Sequence, residues 1–123
     1  MEKTKEQRIR IEERRLSRIY KNLESQKKQV VVGLIKRAAY MRITLEDFEK
    51  DLDENGYTEK FQQGREQTPY DRKRPVAEMY TSMQALYQKA VKQLTDLLPK
   101  ETTARTKSAQ DDGFEDFVND RYD

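Results

Sequence analysis

The chain has 123 residues, a length that suits one small domain with tails. Only 34% of the residues are hydrophobic and 39% are charged, so the apolar stripes are thin and call for burial against partner chains. Cysteine and histidine are both absent, which excludes a disulfide framework, a thiolate metal site and a nucleophile–histidine pair.

No apolar run approaches the ~20 residues of a membrane span, and the opening "MEKTKEQRIR" lacks the apolar core of a signal peptide. A soluble, intracellular protein is expected. The net charge of +2 is unevenly spread. Lys and Arg outnumber Asp and Glu by 10 to 5 over residues 1–28, and the balance is 4 to 7 over 99–123. A basic head suits a polyanion and an acidic tail suits a protein partner.

Residues 4–24 predict a helix, with Ile9, Leu16, Ile19, Tyr20 and Leu23 on one side. On a wheel of 100° per residue, Arg10, Arg14, Arg18, Lys21 and Lys28 fall within about 80° of one another. The helix is expected to break softly near "ESQKK", in a kink or short turn that neither Gly nor Pro marks. Residues 29–54 predict a second helix, from Val31 through Leu34, Ile35, Ala38, Met41, Leu45 and Phe48 to Leu52. Thr44 with Glu46 and Asp47 behind it has the look of a fresh N-cap. The apolar phase does not slip across it, which favours one continuous helix. Asn55-Gly56 ends that helix, glycine being suited to the left-handed position beyond a helix.

Residues 57–70 lose the helical period and read as a short β-hairpin or an extended loop turning at Gln63-Gly64. In "PYDRKRP", Asp71 can cap a helix and Pro75 fits a first turn, so the stretch is first a joint between elements. Val76, Tyr80, Met83, Tyr87, Ala90, Leu94 and Leu97 follow at spacings of 4, 3, 4, 3, 4 and 3, a heptad pattern. Met79, Leu86 and Leu98 widen that face, no charge occurs from Met79 to Gln88, and Pro99 stops the helix. Residues 100–123 read as a disordered acidic tail ending in "GFEDFVNDRYD". The expected organisation is a basic N-terminal helix (1–28), a helical oligomerisation core (29–99) and the tail (100–123). The fold class is all-α, with long antiparallel helices and a short hairpin or extended connection.

The candidate sites follow from these elements. The carboxylates of "EDFEKDLDE" spread around a helix and read as a solvated face; no metal or other cofactor is expected. The four isolated glycines form no phosphate-wrapping loop, so no catalytic residue is assigned and an enzyme is not expected. The basic stripe Arg10, Arg14, Arg18, Lys21 and Lys28 suits phosphate contacts, or else is a solvated helix surface with Glu–Lys pairs. Arg72, Lys73 and Arg74 make a second candidate DNA contact. The heptad residues Val76, Tyr80, Met83, Tyr87, Leu94 and Leu97 are candidates for a subunit interface, or else simply core. Phe114, Phe117, Val118 and Tyr122 are candidate anchors for a protein partner, or else part of an inert solubilising tail.

"VVVGLIKRAAYMRITLEDFEKDLDENGYTEKFQQG" followed by "TPYDRKRPVAEMYTSMQALYQKAVKQLTDLLPK" resembles the small terminase subunits of tailed phages and prophages. The order carries the resemblance: a long helix closed by an acidic run and Asn-Gly, a short extended segment, an Arg-Pro helix start, and Lys92-Gln93-Leu94 with Leu97, Leu98 and Pro99 at the close. It covers rather more than half of the chain. The resemblance implies a helical protomer assembling into a ring in the host cell cytoplasm. It implies recognition of double-stranded viral DNA and its delivery to a large terminase subunit that carries the ATPase and nuclease. No helix-turn-helix is evident at the N-terminus. A coiled-coil scaffold and a small transcriptional regulator are the rival readings.

Overall fold

The computed structural model describes residues 2–98. Three helices and one hairpin follow in chain order: α1 (Lys5–Ile19), α2 (Ser25–Asn55), β1 (Thr58–Phe61), β2 (Tyr70–Lys73) and α3 (Pro75–Asp96). The described chain is thus mostly helical with a two-stranded antiparallel ribbon. The expected tail, with Phe114, Phe117, Val118 and Tyr122, lies outside the described residues, as does Pro99.

α1 starts on a capping box. The Thr4 side chain accepts from the Gln7 amide at 3.1 Å, and the Gln7 side chain accepts from the Thr4 amide at 2.9 Å. The helix ends at Ile19, short of the expected residue 24, and α2 begins at Ser25 rather than 29. A buried tyrosine causes the break: Tyr20 turns inward, and its hydroxyl donates to the Leu94 carbonyl. Glu24 then stands extended (φ −67°, ψ 162°) ahead of α2.

α2 is the spine, and α1 and α3 both pack along it. It runs unbroken past Thr44, which is buried; its hydroxyl finds no hydrogen-bond partner among the described residues. A cap residue stands outside helical geometry with free N–H groups ahead of it, whereas Thr44 lies inside one continuous helix. Ala38 and Ala39, fully enclosed, let the neighbouring helices approach closely. Gly56 closes α2 at φ 83°, ψ 174°, an extended positive-φ region essentially confined to glycine rather than the left-handed helical position expected.

The ribbon pairs Thr58 with Lys73 and Phe61 with Tyr70. Phe61 and Tyr70 meet edge to face at 5.8 Å, and the Arg72 guanidinium lies 3.7 Å above the Phe61 ring. Asp71 therefore belongs to a strand and is not the cap of α3. Arg74 holds that cap position and Pro75 opens the helix, its missing N–H harmless there.

The core joins Tyr20, Val31, Ile35, Ala38, Ala90 and Leu94, with Leu16, Leu23, Leu34, Met41, Tyr87 and Leu97 packed around them. The heptad stripe expected between subunits therefore lies largely inside the protomer. Leu94 is 3% exposed and has no surface to offer a neighbour. Tyr87 and Leu97 pack against the same cluster, and Val76, Tyr80 and Met83 are half-buried. The antiparallel return of α3 along α2 supplies this cover within the protomer and leaves Val76, Tyr80 and Met83 partly open.

Candidate nucleic-acid interface

The cations of α1 divide between two faces. Those turned toward α2 anchor the helix. Arg8 donates to Asp47 at 2.7 Å and to Glu46 at 2.9 Å, and these bonds raise its pKa. Lys5 sits 4.7 Å from the centre of the Tyr40 ring. Arg15 makes a two-pronged contact with Glu12 at 2.9 and 2.7 Å, and Arg42 of α2 approaches the same carboxylate at 3.8 Å. Glu12 is buried, so removing its arginines would strand a charge away from water.

The opposite face is different. Arg10, Arg14 and Arg18 are exposed and rise over eight residues, about 12 Å along the axis. Arg10 has one loose partner, Glu6 at 3.6 Å, and Arg14 and Arg18 have no ion pair among the described residues. Lys3, Gln7, Arg10, Ile11 and Arg14 outline a shallow groove of about 340 Å³ on this side. On one DNA strand, 12 Å of axis spans roughly three to four phosphates. The face can therefore follow a phosphate backbone with only the loose Arg10–Glu6 pair to break.

Lys21 and Lys28 do not share that stripe. Lys21 falls in the turn after α1 and Lys28 in the first turn of α2, both exposed. A wheel drawn through one continuous helix no longer applies once Tyr20 breaks it.

The second basic cluster is neutralised locally. Arg72 donates to Glu59 at 2.8 Å across the ribbon, Lys73 to Glu78 at 3.0 Å, and Lys60 pairs with Asp71 at 3.0 Å. Arg74 donates to Asp51 at 2.9 Å and to the Gly56 carbonyl at 2.7 Å. Asn55 and Arg74 hold the Asp51 carboxyl below the usual carboxylate range. Arg74 thus staples the end of α2 to the start of α3. Three adjacent cations carried no sign of this, because their partners come from three separate elements. Tyr80 donates to Glu49 at 3.0 Å, which raises the tyrosine pKa and ties α3 to α2 again.

Among the described residues no three His, Cys, Asp or Glu side chains converge as a metal site, and no helix is long and apolar enough to cross a membrane. Exposed apolar side chains include Val30 near the start of α2 (61% exposed) and Met79 (50%) and Leu86 (54%) on α3. Comparison with protein-family models, curated proteins and solved structures finds no match for the chain.

Proposed function

We propose that the chain is a non-enzymatic, DNA-binding adaptor that assembles with copies of itself, of the small-terminase kind. In this reading it engages double-stranded viral DNA in the host cytoplasm and recruits a large terminase subunit at the start of genome packaging. One observation carries the DNA part: α1 keeps Arg10, Arg14 and Arg18 on a face free of strong ion pairs, while its other cations anchor the helix. A bare cationic stripe releases counterions when it meets phosphate, so binding must weaken with salt. For self-assembly the reading draws on the exposed Met79 and Leu86 of α3 together with the half-buried Val76, Tyr80 and Met83. The tail residues Phe114, Phe117, Val118 and Tyr122 are the proposed contact for the large subunit, from their chemistry alone.

The test is a titration of the full chain against duplex DNA between 50 and 300 mM salt, with native mass measured in parallel. A salt-dependent affinity and a closed assembly above a tetramer support the reading. A scaffold without a DNA role gives no binding at any salt. A regulator gives a dimer with one preferred operator.

A further inference from the structure

The gap between α1 and α3 is an open cleft of about 310 Å³, floored by Ala38 and Arg42 of α2. Ile19 stands on the α1 side, and Val91 and Leu98 on the α3 side. These three are 50%, 39% and 37% exposed, unusual for apolar side chains that line a common hollow. Two arginines, Arg15 and Arg42, line it, and both already reach the buried Glu12 carboxylate, at 2.7 and 3.8 Å. Arg18, exposed and without an ion pair among the described residues, directly precedes Ile19 on α1.

Leu98 is also the last described residue, so the remaining 25 residues of the chain depart from the rim of this cleft. Residues 99–110 span at most about 40 Å when extended, far enough to return. Residues 111–123 carry six carboxylates against one cation, Arg121. Phe114, Phe117, Val118 and Tyr122 recur there at spacings of 3, 1 and 4, the spacing of one helical face. An apolar cleft with the unpaired Arg18 next to its rim thus meets an acidic segment with one apolar stripe.

We infer that the cleft between α1 and α3 receives residues 111–123 of the same chain. Phe114 and Phe117 pack against Ile19, Val91 and Leu98, and the neighbouring carboxylates face Arg18. The mode is an amphipathic segment in a groove. A short tether holds the segment at an effective concentration on the order of millimolar, so a contact too weak to capture a free peptide still closes within one molecule. The contact does not rest on the DNA reading, because it forms with no nucleic acid present.

The test compares methyl NMR spectra of the full chain and its Phe114→Ser/Phe117→Ser variant, whose changes lie outside the described residues. The methyl signals of Ile19, Val91 and Leu98 are expected to shift, and those of Val30 and Leu86 to stay. Unmoved cleft signals, or a shift that dilution abolishes because a second copy supplies the segment, would overturn the inference. The chain has no cysteine, so a second measurement is clean. Val91→Cys with Phe117→Cys should form an intramolecular disulfide about tenfold faster than Val30→Cys with Phe117→Cys. Equal rates would overturn it.

Discussion

Arg10, Arg14 and Arg18 on α1 and Arg72, Lys73 and Arg74 at the joint into α3 are similar in composition and opposite in circumstance. On α1 the nearest carboxylate to Arg10 is a loose 3.6 Å away, and Arg14 and Arg18 have none within ion-pair reach among the described residues. At the joint, each cation meets a carboxylate at 2.8, 3.0 or 2.9 Å. Local density of positive charge therefore does not measure what is available to a polyanion. What counts is whether other elements have already placed acids beside it.

The largest effect expected from this contrast is on DNA affinity. Replacing Arg10, Arg14 and Arg18 together by alanine should weaken duplex binding about ten- to a hundredfold near 100 mM salt. The same change should flatten the slope of log affinity against log salt by about 3, near 0.9 for each lost phosphate contact. Filter binding or anisotropy across a salt series reads both, and an unchanged slope would remove α1 from the DNA reading.

Next comes stability at the joint. Arg74, with a side chain 18% exposed, holds Asp51 and the Gly56 carbonyl. Arg74→Ala should lower the unfolding free energy by about 1–3 kcal/mol and leave the DNA salt slope unchanged. Urea denaturation checks the first half, and a flattened slope would contradict the second. Arg72→Ala, which removes a more exposed pair, should cost under about 1 kcal/mol and change DNA affinity less than about twofold.

The smallest expected effect is on acid stability. The folded-state pKa of Asp51 is lowered, first by Asn55 and then by Arg74. Its contribution is present above the ordinary carboxylate range and is lost as pH falls through the lowered folded value. Asp51→Asn should therefore be less stable than the parent at neutral pH, with the difference shrinking as pH drops. Thermal melts across an acid series that show a constant difference would sink this assignment.

Much of the architecture was legible because periodicity and punctuation report local chain geometry. The unbroken phase from Val31 to Leu52, Asn55-Gly56 and Pro75 marked α2 and the start of α3. The turn at Tyr20 was placed several residues too late, since no Gly or Pro marks it and a tertiary contact to Leu94 makes it. The heptad of α3 located a buried face correctly but not its cover. Period states which side of a helix is apolar, and only the packing shows that α2 covers it. The same limit applies to the candidate site. Arg14 and Arg74 look alike in sequence, and their difference depends on Asp51, some twenty residues from Arg74 and brought near by the reversal of the chain.

The central position of α2 has a consequence for how the molecule comes into being. Its neighbours in space are its neighbours along the chain: α1 just before it, and the ribbon and α3 just after. Such an order keeps contact order low, which favours folding in the microsecond-to-millisecond range. During synthesis α1 and α2 can pair before α3 has been made, because chains emerge at roughly 5–20 residues per second. The lining of the α3 contact, Val31, Ile35 and Ala38, then stays bare until the last helix arrives. Crowded translation of many copies would make that interval, rather than the finished fold, the moment of greatest risk of mispairing between chains.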